Sequence, residues 1–241
     1  MRFLSSFWAA LVDRVADMKA NRSRSVLQFI GIVLGVGSVV ATLGLIDGGR
    51  QQATKFFETT GGILKMRIDN AKVEAASRTA TELNSKGLTY KDALVLNRDG
   101  KNFELVEPTI EQPELVRRSG FEKRISISGA TPAYEPMYSF HVAEGRFIEE
   151  QDLAESSKVV VLGSTRCAQL FGSEQPIRRT IDIGGATFTV VVVMEKKEFF
   201  WNEADGNALE WMNKMLFVPI TTVMNRRSGE RENQKVAYVK A

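Results

Sequence analysis

One cysteine, Cys167, and one histidine, His141, are all that 241 residues contain of the two side chains most often used to hold zinc or to form covalent intermediates. A single thiol cannot form an intrachain disulfide, which neither excludes nor requires an oxidising compartment. A single imidazole excludes zinc sites built from two or three histidines. The spacing G-x-x-x-x-G-K-[ST] occurs nowhere, so this chain has no loop of that kind to cradle the phosphates of ATP. A large excess of one charge is also lacking. The totals of 32 Lys+Arg and 29 Asp+Glu leave a formal +3, which describes a solvated surface and gives no footprint for nucleic acid. Cys167, beside Ala168 and Leu170 on the expected buried side of a short helix, reads as a core thiol. VLGST at Val161 looks like a phosphate turn only superficially, because its lone glycine is accounted for by the turn itself. No catalytic residue, cofactor or metal is expected.

What the chain does have is one long apolar run. The 21 residues from Val26 to Ile46 carry no charge, with Gln28, Ser38 and Thr42 as polar interruptions. As a helix this run covers roughly 30 Å, the thickness of a bilayer's hydrocarbon layer. It is longer than the apolar region of a signal peptide, about 25 residues precede it, and no A-x-A-like cleavage site follows. A retained anchor is therefore expected. Arg2, Arg14, Lys19, Arg22 and Arg24 precede it and only Arg50 and Lys55 follow closely, which predicts a cytoplasmic N-terminus and an extracytoplasmic remainder. Before the span, Phe3, Leu4, Phe7, Trp8, Leu11, Val12, Val15 and Met18 recur at spacings of three and four. This predicts an amphipathic helix over 1–21 in the inner-leaflet interface, anchored by Phe7 and Trp8. The competing reading packs that helix on another protein's helices.

Small residues mark two faces of the span. Gly31, Gly35, Ser38 and Thr42 share one; Gly37, Ala41, Gly44 and Gly48 share another. Small residues let helices approach closely in lipid, so two such faces predict at least two helical neighbours. Past the span, Leu43, Ile46, Arg50, Ala53 and Phe57 keep one helical register through Gly48-Gly49, and Gly61-Gly62 is the better stop. A transmembrane helix and stalk over 22–60 is expected, reaching roughly 20 Å beyond the bilayer.

From 61 to 241 the period changes. ILKMRID, ELVEP, EKRISISG, the segment around HVAEGRF, MLFVPI and KVAYVKA read as strands, while 71–87 reads as a loop or weak helix. Thr89 caps a helix through TYKDALVLNRD. SKVVVLGSTRCAQLFG reads as strand, turn and helix closed by Gly172, and TIDIGGATFTVVVVM as a hairpin turning on Gly184-Gly185. TTVMNRRSG reads as a short helix. Glu149-Glu150 and Asp152, beside Arg146, read as a solvated loop or a helix start. The mixture predicts an α+β domain. After the hairpin, Phe199, Phe200 and Trp201 cannot all bury on one face, which makes them a candidate partner-contact loop or part of the core.

NRSRSVLQFIGIVLGVGSVVATLGLIDGGRQQ, LTYKDALVL, AEGRFIEEQDLAESSKVVVLGSTRCAQLFG, TIDIGGATFTVVVVM and LFVPITTVMNRRSG together resemble the N-terminal half of a MacB/FtsX-type ABC transporter permease. The matching parts are its first transmembrane helix and its MacB-like periplasmic core domain. Two departures are Arg178-Arg179, where a glycine often follows the proline turn, and VVVV, where the second hairpin strand usually has a glycine. The resemblance implies an inner-membrane permease with one transmembrane helix before the periplasmic domain and three after it. Such permeases work with a cytoplasmic ABC ATPase and with a second copy or further permease subunit, and they transmit motion mechanically across the membrane. The three later helices are absent from this chain, which implies a fragment or a subunit completed by another polypeptide. The implied partners are the ATPase, the further permease subunit, membrane lipid and a periplasmic protein, with no nucleic acid. The alternative is a single-span accessory or scaffold protein that binds a periplasmic partner. A membrane-anchored hydrolase would need His141 or Cys167 to be active.

Overall fold

The structure, a computed structural model, describes residues 22–68, 88–100, 103–202 and 204–226. The expected interfacial helix with Phe7 and Trp8, the segment 71–87 and the strand KVAYVKA lie outside the described residues. Two compact units emerge, one ending at Ala53 and the other beginning at Thr54.

The described part of the first unit is most of one helix, α1 (Arg22–Thr59), which passes through Gly48-Gly49 without interruption. None of its side chains is buried, and Leu27, Phe29, Ile32, Leu34 and Leu45 are each at least 66% exposed, as suits lipid and not a protein core. The polar groups of the apolar run are satisfied locally: Ser38 Oγ donates to the Gly35 carbonyl at 2.9 Å and Thr42 Oγ1 to the Ser38 carbonyl at 2.8 Å. Bonds of this kind remove the cost of a hydroxyl in hydrocarbon. By length and composition α1 is the one candidate membrane span among the described residues.

The second unit is built on a seven-stranded sheet. Along the chain come α2 (Tyr90–Asp99), β1 (Ile110–Arg118), β2 (Phe121–Ala130), α3 (Tyr134–Tyr138), β3 (Val142–Gly145), α4 (Glu150–Glu155), β4 (Val159–Leu162) and α5 (Ser164–Phe171). They are followed by β5 (Thr180–Ile183), β6 (Ala186–Met194), α6 (Glu210–Asn213), β7 (Leu216–Pro219) and α7 (Ile220–Arg226). The strand order is β3-β6-β4-β7-β2-β1-β5, and β5 pairs again with β6, so the sheet closes on itself. Strand β6 makes closure possible because it is long. Its first half pairs with β5 (Ile183 opposite Ala186) and its last residues pair with β3 (Val142 opposite Met194). β4 runs parallel along it, with Val160 opposite Val190.

Alternation along β6 buries Phe188, Val190, Val192 and Met194. They meet Leu162, Ile181, Ile183 and Phe217 in one core, where the rings of Tyr134 and Tyr138 stack at 4.2 Å and Tyr134 meets Phe217 at 4.5 Å. The hairpin turn is the one expected, with Gly184 and Gly185 at φ 56° and 79°. Thr89 caps α2 in a capping box, its N–H donating to Asp92 Oδ2 at 2.7 Å while the Asp92 N–H donates to its hydroxyl at 3.3 Å.

Several readings change. Residues 63–68 form no strand: Ile63, Leu64 and Met66 are exposed, so among the described residues nothing covers the face a strand would bury. ELVEP forms no strand either, and the ladder begins after Pro108, at Ile110. β1 itself was hidden by Pro113 and by Glu111 and Glu114. Among the described residues its middle pairs with β2 alone, with Pro113 opposite Ser126, while β5 joins only at Val116 and Arg117. Proline is tolerated on such an open edge. The acidic stretch before Asp152 is a helix start. Asp152 accepts from the Glu149 N–H at 3.0 Å and from both terminal nitrogens of Arg146 at 2.6 and 3.0 Å. Burial raises the Asp152 pKa, but the Arg146 hydrogen bond and its neighbours outweigh that and hold the carboxyl below its usual range.

Candidate functional site

Among the described residues no group of three or more His, Cys, Asp and Glu is placed to hold a metal ion. Cys167 is half-buried, and burial raises its thiol pKa, the opposite of what a nucleophile needs.

The most constrained polar arrangement lies within the second unit, where the last turn of α1 meets the sheet. The helix stops by a glycine mechanism: the Gly62 N–H donates to the Phe57 carbonyl at 2.8 Å and the Gly61 N–H to the Glu58 carbonyl at 3.1 Å. Gly61 has φ +101°, and a Cβ there would lie 2.0 Å from the Met137 carbonyl oxygen. Only glycine supplies both the backbone angle and the space.

Phe56 turns from the helix into an aromatic cluster. Its ring meets Phe199 edge to face and Trp201 at a tilt, both with centroids 5.1 Å away, and Phe199 meets Trp201 at 5.0 Å. Beside the cluster, Lys197 is buried, and its Nζ donates to the Thr59 carbonyl at 2.5 Å and the Tyr138 carbonyl at 2.9 Å. Burial pulls its pKa down to about 8. Among the described residues no carboxylate forms an ion pair with it. The Lys197 N–H donates to Asn213 Oδ1 at 2.8 Å, while its carbonyl accepts from Asn213 Nδ2 at 2.8 Å and Asn207 Nδ2 at 2.7 Å. Asn207 also accepts from the Phe199 and Leu209 N–H groups. The loop after β6 is therefore held to Asn207 and Asn213 at Lys197, Phe199 and Leu209.

The candidate residues read from sequence separate accordingly. Gly31, Gly35, Ser38 and Thr42, and likewise Gly37, Ala41, Gly44 and Gly48, are exposed along α1 in the first unit. A Cβ added at any of these glycines meets no atom within 4 Å. Phe199 is 6% exposed, whereas Phe200 and Trp201 are 48% and 44% exposed, which leaves the partner-contact reading to the latter two. Lys197, Phe56, Asn207 and Asn213 escaped the sequence reading. EKKEFFW reads as a charge run before aromatics, yet the burial alternation of β6 resumes in it, with Lys197 and Phe199 inward and Glu198 and Phe200 outward. The residue types of EKKEFFW carry no period-two pattern, so nothing in the sequence signalled it.

Comparisons with known proteins agree with this architecture. Residues 25–241 match the family model of the MacB-like periplasmic core domain. The macrolide export ATP-binding/permease protein MacB of Rhodospirillum rubrum is 28% identical over 230 residues, covering 94% of this chain and 33% of that protein. The protein of the same name from Bdellovibrio bacteriovorus is 28% identical over 218 residues, covering 88% of this chain and 31% of that protein. The chain thus spans about a third of the length of these relatives. Among solved structures, the periplasmic region of MacB from Actinobacillus actinomycetemcomitans superposes with a TM-score of 0.58 at 19% identity, covering 76% of each chain. The extracellular domain of the ABC-type transporter YknZ from Gram-positive bacteria gives 0.55 at 16% identity, covering 73% of this chain and 81% of that one. At these identities the likeness is one of fold.

Proposed function

From the fact that the chain belongs to the MacB-like periplasmic core domain family, we propose that it is a permease component of an ABC transporter in the bacterial inner membrane. In this reading the N-terminus is cytoplasmic, the sheet domain is periplasmic, and α1 carries motion from an ATPase below the membrane to the domain above it. The relatives are named as ATP-binding and permease proteins. An ATPase, in the same or a separate polypeptide, is accordingly the partner proposed. Gly31, Gly35, Ser38 and Thr42 on one face of α1, and Gly37, Ala41, Gly44 and Gly48 on the other, are proposed to take neighbouring transmembrane helices.

One observation carries the reading. A helix that serves only as an anchor can end at the membrane surface, but α1 continues through Gly48-Gly49 to Thr59, and its last turn is packed and capped by sheet-domain residues. Two adjacent glycines make this continuity costly by about 2 kcal/mol relative to alanine. That cost makes sense if the helix has to stay whole to do its work.

The test is isolation of the chain from membranes after cross-linking, followed by distance measurement on what is isolated. The proposal expects co-purification with an ATP-binding polypeptide and a MgATP-dependent displacement of the domain relative to cytoplasmic labels. Recovery as a lone protein that does not respond to ATP favours a single-span scaffold, for which exposed Phe200 and Trp201 would be the contact. Orientation is tested separately, by reacting a cysteine at Lys123 with a membrane-impermeant maleimide in intact spheroplasts. Protection of that site would contradict a periplasmic domain.

A further inference from the structure

We propose that Lys197 is a latch: one buried ammonium that holds the terminal carbonyls of two helices together and so fixes the end of α1 to the sheet domain. The purpose of the latch rests on the mechanical reading above, whereas its geometry stands without it.

Thr59 is the last residue of α1 and Tyr138 the last residue of α3. The final carbonyls of a helix have no partners within it, and they carry the negative end of the helix dipole. The two ends press against each other, since the space a Cβ would need at Gly61 is filled by the Met137 carbonyl, the Lys65 ammonium and the Tyr138 backbone. Lys65 Nζ donates to the next carbonyl, that of Thr60, and lies over the Tyr138 ring, so the acceptors that Lys197 joins are those of Thr59 and Tyr138. The Lys197 ammonium supplies donors to both, at 2.5 and 2.9 Å. The two carbonyls satisfy donors of a lysine that has no carboxylate ion pair among the described residues, while desolvation still disfavours its charged form. A compact ammonium with three donors suits two carbonyls aimed at one point better than a flat guanidinium does.

A latch also needs a fixed base. The backbone of Lys197 is pinned on both sides by Asn213, which is fully buried, and on its carbonyl by Asn207. Three residues earlier the chain leaves β6, the strand through which the sheet closes. Displacement of Thr59 is thereby passed to the backbone of β6 and α6, not to a flexible loop. Phe56 against Phe199 makes a second, apolar fixing one turn back along the helix.

The test places spin labels on the full chain in lipid nanodiscs, at Lys55→Cys on α1 and Lys123→Cys on β2, in a Cys167→Ser background. The inference expects a narrow separation distribution that broadens about twofold in Lys197→Met, which keeps the length and apolar stem but removes the donors. Phe200→Ser, on the exposed side of the same loop, should leave it narrow. A distribution as narrow in Lys197→Met as in the parent overturns the latch. Should Lys197→Met not fold, hydrogen exchange on the unsubstituted chain decides the matter. A latched end keeps the Gly62 amide as slow to exchange as that of Val190 in the sheet, whereas exchange within about tenfold of an unstructured amide overturns the latch. A latched chain that shows no ATP-driven displacement would refute mechanical transmission alone, and a loose helix end would refute the latch whatever the ATPase does.

Discussion

The ring of Phe199 meets the ring of Phe56 edge to face, with centroids 5.1 Å apart and planes at 71°. Two segments far apart in sequence, the last turn of α1 and the loop after β6, are thereby joined in one apolar cluster. Phe199→Ser should then act on folding, lowering stability by about 3 to 5 kcal/mol in urea unfolding of the detergent-solubilised chain. Trp201→Ser removes a half-exposed ring and should cost under about 2 kcal/mol, leaving the fold intact while weakening capture of a periplasmic partner.

Gly61→Ala should destabilise the same region from the backbone side. The substitution puts a Cβ against the Met137 carbonyl at a φ of +101°, for an expected cost of about 1 to 3 kcal/mol. Thermal unfolding followed by near-ultraviolet circular dichroism measures it. Gly62→Ala has an unfavourable φ but open space around it, and should cost less.

Glu107 predicts the pH dependence of stability. Its carboxyl is fully buried and accepts from the Thr131 N–H at 2.9 Å and pairs with the Thr131 hydroxyl; burial pushes its pKa up to about 8. The folded chain therefore binds this proton more tightly than the unfolded chain. The stabilisation is complete below the usual carboxylate pKa and is lost as pH rises through about 8. Urea midpoints should fall between pH 5 and pH 7.5 on this account, and Glu107→Gln, which keeps a donor in place of the acid proton, should flatten the slope. Lys197 acts in the other direction and in a higher window. Because its folded pKa is depressed to about 8, stability from that group rises as pH climbs above that value.

Arg146 of the Gly145-Arg146-Phe147 motif is exposed and pairs with the buried carboxylate of Asp152. Arg146→Met removes the solvent-exposed partner of a carboxylate that retains the Glu149 N–H, at a cost of about 1 kcal/mol after solvent screening. Adding Asp152→Asn should restore part of the loss, so that the double variant falls short of the sum of the singles in denaturant titration.

Legibility in the sequence followed the range of the forces involved. The apolar run of α1, the Thr89 cap, the Gly184-Gly185 hairpin and the VVVL strand with its helix are each set by residues within a few positions of one another, and all could be read. β1 could not, because Pro113 and two glutamates argue against a strand until its open edge is known. ILKMRID misled for the opposite reason, since apolar residues do not make a strand without a partner ladder and none pairs with 63–68 among the described residues. The joint was the least legible part. Lys197 lies between two charged neighbours and reads as solvated surface, and only the arrival of Thr59, 138 positions earlier in the chain, gives it a buried role.

The central claim is that α1 acts as one rigid rod, and labels on both sides of its glycine pair test that most directly. With Val36→Cys and Lys55→Cys in a Cys167→Ser background, in nanodiscs together with the co-purified ATPase, an unbroken helix gives a single narrow separation near about 28 Å, the same with and without ATP. A broad distribution, or a separation that changes during hydrolysis, would show a hinge at Gly48-Gly49 and contradict the account.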